Sequence, residues 1–262
     1  MSDVQPNSES ATQQRRYNQN LPYTRRYNKP KEPKPTHFLA LQLSQHDTVT
    51  TAISSIQSSI TSHSSHLAPS LVDPATAHLT LGVLHLPENT DNGDNGEGDE
   101  DHLSTILQAT LQRAVSRMGL TFPLPVQLHG VGNFRNSVVF LKVSERAHED
   151  VVRVAQAART EFKESGLLVQ AHRQFQPHVT CAKLSKMLEY GGGSVSRSGS
   201  EGWRNDDAGP ATSIPPESYQ QHRDITTDVV CVSELQVCAM QQRQPGEYYN
   251  VISRINLLSQ SD

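Results

Sequence analysis

The apolar positions along the chain fall into two patterns that together predict a mixed α+β fold. Apolar runs of roughly four to eight residues are typical of buried strands, whereas apolar residues recurring every three or four positions are typical of amphipathic helices. The predicted order is strand, helix, strand, helix, two strands, helix, strand and a closing pair of strands. The predicted strands are residues 38–43, 77–86, 124–128, 138–143, 177–184, 230–240 and 248–258, and the predicted helices are residues 49–63, 102–118 and 149–165.

Three segments carry no pattern that could build a core. Residues 1–35 are polar and contain Arg-Arg-Tyr-Asn twice, residues 87–101 are acidic and rich in glycine and asparagine, and residues 188–216 contain a triple glycine and a double proline. Such segments bury too little apolar surface to offset the entropy lost when a chain is ordered. The sequence therefore predicts a disordered basic arm at 1–35 and one folded domain at 36–260, with loose insertions at 87–101 and 188–216.

The whole chain has a net charge of −4, and the predicted arm differs in charge from the rest of it. Between Gln13 and Pro35, seven lysines and arginines and three tyrosines stand against one glutamate. Guanidinium groups bind phosphates and tyrosine rings stack on bases, so the arm suits contact with single-stranded nucleic acid. A solvated linker, a nuclear-import signal or a protein-interaction segment explains the same composition equally well.

Two of the predicted strands begin with the same tripeptide, His-x-Thr. Residues two apart in a strand point to the same face, so His78 lies beside Thr80 and His178 lies beside Thr180. Either histidine alone favours a structural interpretation, in which a core imidazole is bonded to a backbone carbonyl. The matched pair favours a polar cleft instead, because each half of the chain repeats a helix and such a strand. We therefore expect internal pseudo-symmetry, with both motifs converging on one cleft.

The two motifs suggest chemistry on a phosphate. Two imidazoles facing each other can act as general base and general acid, and the sequence leaves open which does which. Thr80 and Thr180 would donate hydrogen bonds to the phosphoryl oxygens as charge builds in the transition state. No second histidine stands at ligand spacing on either strand, so we expect neither a metal nor any other cofactor.

The paired motifs, about one hundred residues apart, resemble those of the two-histidine (2H) phosphoesterase superfamily. The similarity extends to the branch that contains the A-kinase-anchor-protein nuclear-localisation-signal domain and the phosphoesterase part of the activating signal cointegrator complex. The matching stretches are THFLALQL, AHLTLGVLHL, FQPHVTCAKLSK, SELQVCAMQ and GEYYNVISRINL.

The resemblance implies a two-lobed, LigT-like (2′-5′ RNA ligase-like) α+β fold with a central cleft between two antiparallel sheets. It implies His78, Thr80, His178 and Thr180 as the catalytic residues of a metal-independent phosphodiesterase, a hydrolase. The implied substrates are RNA or oligonucleotides with 2′,5′ linkages, 2′,3′-cyclic phosphates or RNA 3′ ends. Some members are known chiefly as nucleotide binders, so a module that binds AMP, CMP or RNA without turnover is the alternative.

Four further residues are candidates for substrate binding. Tyr248 and Tyr249 begin the last predicted strand, where one of them faces the cleft and could stack on a base, and Phe134 is a similar candidate in the mid-chain turn. Lys183 lies five residues beyond His178, on the opposite face of an ideal strand, so a phosphate contact would require a bulge. Packing or solvation explains each of the four as well.

The remaining composition bears on location and partners. The three cysteines are odd in number and lack metal-type spacing, which is typical of reduced core residues. No apolar run reaches membrane-spanning length, and no signal-peptide core is present. We therefore expect a soluble cytoplasmic or nuclear protein, monomeric, with no membrane partner.

Overall fold

The computed structural model of the chain describes residues 32–87, 97–120, 122–190, 212–241 and 244–258. The predicted arm at 1–35 and the two predicted insertions lie largely outside the described residues. The strands within the described residues are β1 (His37–Gln42), β2 (His78–Leu84), β3 (Leu124–Val126), β4 (Leu128–Phe134), β5 (Val138–Val143), β6 (Leu168–Val169), β7 (His178–Lys183), β8 (Val230–Val232), β9 (Glu234–Ala239) and β10 (Val251–Asn256). The α-helices are α1 (Asp47–His63), α2 (Glu97–Met118), α3 (Glu145–Glu164) and α4 (Ser185–Tyr190).

The strands form two main antiparallel sheets, which confirms the predicted two-lobed α+β fold. The His78 sheet has the strand order β10-β9-β1-β2-β6, and the His178 sheet has the order β4-β5-β7. Strands β3 and β8 pair separately. None of the helices among the described residues is both long and apolar enough to cross a membrane.

Three of the differences between the predicted and the observed elements have a local cause. The predicted strand 230–240 divides at Ser233 into β8 and β9, which belong to different sheets. Strand β4 was not predicted as a strand because two glycines interrupt its apolar pattern, one of them with a φ of +75°. Helix α2 begins at Glu97, so part of the predicted insertion 87–101 is helical.

The two His-x-Thr strands have the same irregularity in register. In the pairing of β1 with β2, Leu39 is opposite Gly82 and Ala40 is opposite Thr80, so Leu81 is a bulge residue. In the pairing of β5 with β7, a shift at the same place leaves Cys181 as the bulge residue. A bulge reverses the alternation of faces, so residues beyond it that would point away from a cleft point toward it.

Each bulge is held by a helix from the other half of the chain. The carbonyl of Cys181 accepts hydrogen bonds from the Val72 amide at 3.0 Å and from Gln57 Nε2 of α1 at 2.8 Å. The carbonyl of Leu81 accepts a longer bond, 3.4 Å, from Arg159 of α3. Helix α1 follows β1 in the chain but supports β7, and α3 follows β5 but supports β2. Each half of the chain therefore stabilises the bulge of the other half.

Candidate active site

A cleft of about 540 Å³ contains residues from both His-x-Thr strands. His78 and Thr80 line it from β2, and Thr180 lines it from β7. His178 begins the same strand as Thr180, and its charge is close enough to act on the pKa of His78. The complete lining is Phe38, Val72, Thr76, His78, Thr80, Val83, Thr180, Lys183, Lys186, Met240 and Tyr249.

The His78 ring is held in one orientation by two hydrogen bonds. Nδ1 lies 2.7 Å from the carbonyl oxygen of Thr76, two residues earlier in the chain. A carbonyl can only accept, so Nδ1 carries the proton and Nε2 of the neutral ring is an acceptor. The Thr80 hydroxyl, 2.9 Å away, donates to that Nε2. In the free protein, the nitrogen available for proton transfer therefore bonds to the threonine of its own motif.

His178 is anchored in the same way. Its Nδ1 donates to the carbonyl oxygen of Gln176 at 2.7 Å, again two residues earlier in the chain. This bond fixes the proton on Nδ1 and leaves Nε2 as the proton acceptor of the neutral ring. Both histidines therefore have the same tautomer, with Nε2 as the unprotonated ring nitrogen.

Burial lowers the pKa of both histidines. The pKa of His78 is lowered to about 4: burial is the largest cause, the hydrogen bond to the Thr76 carbonyl opposes it, and the charge on His178 adds to it. For His178 burial lowers the pKa and the bond to Gln176 opposes it. Both rings are therefore neutral in the free protein at pH 7, which is the form that can accept a proton.

Aromatic rings surround both histidines. Phe38 and Tyr249 lie against the His78 ring, with centroids 4.8 and 5.4 Å away. Phe134 and Phe140 lie against the His178 ring at 5.0 and 5.1 Å. The Phe140 ring packs directly on Gly132, where a Cβ would be only 2.6 Å from the ring, so this close approach requires glycine.

The four additional candidates for substrate binding lie in different environments. Lys183 lines the cleft, because the bulge at Cys181 supplies the reversal that a cleft contact requires. Tyr249 lines the cleft as well, whereas Tyr248 packs against Cys238, with 4.0 Å from hydroxyl to sulfur. Phe134 contacts the His178 ring.

Sequence reasoning missed several residues of the cleft. Phe38 and Phe140 lie on central strands and carry no motif. The cleft position of Phe38 and the contact of Phe140 with the His178 ring follow only from the pairing of those strands with β2 and β7. The carbonyls of Thr76 and Gln176 gave no sequence signal, because any residue supplies a carbonyl. Among the described residues, no group of three histidine, cysteine or acidic side chains is placed to hold a metal ion.

Comparison with known proteins identifies one matching family and several similar proteins. Residues 35–257 match the family described as the AKAP7 2′5′ RNA ligase-like domain. Human A-kinase anchor protein 7 isoform gamma is 32% identical over 163 residues, which is 62% of this chain and 44% of that protein, so the match spans less than half of the relative. The fold is similar to TT0787 of Thermus thermophilus, with a TM-score of 0.53 and 18% identity over 86% of this chain and all of that one. E. coli LigT complexed with 3′-AMP gives a TM-score of 0.45 at 17% identity, over 88% of this chain and all of that one.

Proposed function

The chain belongs to the AKAP7 2′5′ RNA ligase-like domain family of the 2H phosphoesterase superfamily, and from this premise we propose that it is a metal-independent phosphodiesterase. The observation that carries the proposal is the shared anchoring of the two histidines. Each donates from Nδ1 to a carbonyl two residues earlier and is thereby left with Nε2 for proton transfer. A purely structural histidine has no need of a second copy with the same tautomer on an equivalent strand.

The proposed reaction needs only these side chains and the substrate. A water molecule or a ribose hydroxyl attacks phosphorus while one Nε2 takes its proton, and a new P–O bond forms. The other histidine, in its protonated form, gives a proton to the departing ribose oxygen as the old P–O bond breaks. Thr80 and Thr180 donate hydrogen bonds to the non-bridging oxygens, which gain charge in the transition state.

We assign the base role to His78 and the acid role to His178. The pKa of His78, lowered to about 4, keeps its ring neutral over the whole neutral range. His178 must hold a proton at the start of the reaction, and the negative charge of a bound phosphate raises the pKa of a neighbouring imidazole. Donation by Thr80 to the phosphate would at the same time release the lone pair of His78.

The proposed substrates are RNA or oligonucleotides with 2′,5′ linkages, 2′,3′-cyclic phosphates or free RNA 3′ ends. A second candidate function is binding of AMP, CMP or RNA without turnover. The Thr80 hydrogen bond favours this second candidate, because it occupies the nitrogen that a base requires. Contact of the basic arm with nucleic acid, a monomeric state and a nuclear or cytoplasmic location remain predictions from the sequence.

Cleavage by the purified chain in excess EDTA tests the proposal. The substrates are a 2′,5′-linked oligoadenylate, a 2′,3′-cyclic nucleotide and a 3′,5′-linked oligouridylate, each offered to the wild type, His78→Ala and His178→Ala. Turnover by the wild type that both variants lose supports the two-histidine mechanism, and the preferred substrate identifies the linkage. No turnover, with AMP still raising the melting temperature, would establish the binding module instead.

A further inference from the structure

The two sheets carry different charges at equivalent positions. The residue paired with the histidine is Gln42 in the His78 sheet and Lys142 in the His178 sheet. The residue two places beyond the bulge is Val83 in the first sheet and Lys183 in the second. One side of the cleft is therefore neutral and the other cationic, although the backbones follow the same path.

Of the two lysines, Lys183 is the one that lines the cleft. Lys142 lies over Gly130 instead. Lys186 also lines the cleft, and its ammonium donates to the carbonyl of Leu71 at 2.6 Å. No carboxylate occurs among the described residues of the cleft lining, so its electrostatic field attracts anions.

The position of Lys183 separates it from the site of reaction. It stands three residues beyond Thr180, but the bulge shortens the spacing. Its strand partner Val138 is two residues from Phe140, the partner of Thr180, so the two positions lie about 7 Å apart along the sheet. In the proposed function, the reacting phosphate lies between the two His-Thr pairs. That separation leaves room for a ribose between the reacting phosphate and the lysine. The equivalent region of the other sheet is formed by Val83, Phe38 and Tyr249, a surface suited to an apolar or aromatic group.

We propose that Lys183 forms a subsite for a second phosphate of the substrate, one nucleoside unit from the phosphate that reacts. This inference rests on the proposed function, because that function places the reacting phosphate. It specifies the substrate class further: the preferred ligand is a nucleotide carrying two phosphates, or an internal position of a chain. It also fixes the ligand's direction, with the added phosphate on the His178 side.

Binding measurements test the subsite independently of turnover. Calorimetric titrations would compare adenosine 5′-monophosphate with adenosine 3′,5′-bisphosphate, using the wild type, Lys183→Gln and Lys183→Arg. Lys163→Gln, an exposed lysine in the last turn of α3, is the matched control for the loss of one charge. A salt concentration of about 0.1 M screens exposed charges beyond about 10 Å, which limits effects of net charge.

We expect the bisphosphate to bind the wild type about tenfold or more tightly than the monophosphate, as one charged hydrogen bond would give. Lys183→Gln should remove that advantage and leave monophosphate affinity unchanged, and Lys183→Arg should keep most of it. Equal affinity of the wild type for the two ligands, or no binding of either, overturns the inference. An equal loss of affinity for both ligands in Lys183→Gln also overturns the inference, since the lysine would then contact the reacting phosphate.

The cleavage assay separates failure of this inference from failure of the proposed function. If the wild type prefers the bisphosphate but cleaves no substrate, the inferred subsite is supported and the proposed phosphodiesterase activity is wrong. If the wild type cleaves oligonucleotides but binds both nucleotides equally, the proposed phosphodiesterase activity is supported and the inferred subsite is wrong.

Discussion

The two sheets that face the cleft use the same backbone and different side chains. Both begin a strand with His-x-Thr, both anchor Nδ1 on a carbonyl two residues earlier, and both place a bulge directly after the threonine. The surroundings differ: Val83 in one sheet corresponds to Lys183 in the other. In the proposed function, the repeated backbone positions the two imidazoles for proton transfer, and the differing side chains would allow the cleft to distinguish the two sides of a ligand.

The largest expected effect comes from removing either histidine. General acid–base catalysis contributes about 10² to 10⁴-fold, so His78→Ala and His178→Ala should each lower kcat by that range. A substrate with a 4-nitrophenolate leaving group distinguishes the two roles, because this group departs without being protonated. On that substrate His178→Ala should recover most of its rate, and His78→Ala should not.

The exposed His66, replaced by alanine, is the control and should retain wild-type rates on both substrates. Recovery by His78→Ala in place of His178→Ala would reverse the assigned roles. Equal recovery by both variants would contradict any division of roles between the two sheets.

A smaller effect is expected for the threonines. Thr180→Val removes a donor to the charged transition state and should lower kcat by about 10². Thr80→Val removes an equivalent donor but also frees His78 Nε2, so we expect a smaller loss, about tenfold. Steady-state rates of the two valine variants and the two serine variants check this order, and both serine variants should remain active. A larger loss in Thr80→Val would show that its bond to His78 assists the reaction.

Alternation along a strand was sufficient to predict which face of β2 and of β7 carries the motif residues. It also indicated that only one of Tyr248 and Tyr249 faces the cleft, but not which one. The position of Lys183 could not be predicted, because a bulge depends on the partner strand. That bulge also depends on Gln57, which reaches it from a helix over one hundred residues earlier.

Strand β4 shows a second limit of the sequence. Its glycines remove the apolar alternation that marks a strand, yet one of them lets the Phe140 ring pack beneath His178. Glycine in β4 therefore both obscures the strand in the sequence and allows this packing at the candidate site. The mixed α+β order and the two antiparallel sheets were predicted correctly, since long periodic segments depend little on such contacts.

The residues that hold the two bulges provide the next test. Gln57→Leu removes the side-chain bonds to the carbonyls of Cys181 and Val72, and burying those groups with fewer partners should cost about 1 to 3 kcal/mol of unfolding free energy. We expect this variant to weaken binding through Lys183, and Arg159→Leu to leave that binding intact. Urea unfolding and bisphosphate titration measure the two effects. Loss of bisphosphate affinity in Arg159→Leu but not in Gln57→Leu would contradict the inference that α1 supports the bulge of β7.

The last expected effect is on the pH dependence of stability. The pKa of His78 is about 4 in the folded chain and about 6.5 in the unfolded chain, so between these values the unfolded state binds more protons. The free energy of unfolding should therefore fall as pH decreases from 6.5 to 4, by on the order of 1 to 3 kcal/mol from this residue, and change no further below 4.

The variant His78→Asn should reduce that pH dependence, because asparagine does not titrate. Urea unfolding at pH 7, 5.5 and 4 measures the effect. Burial lowers the pKa of His178 in the same direction, so His178→Asn should also reduce the dependence, but less than His78→Asn. Equal reductions by the two variants would show that the sheets bury their histidines equally, and the assignment of His78 as the base would lose its electrostatic support.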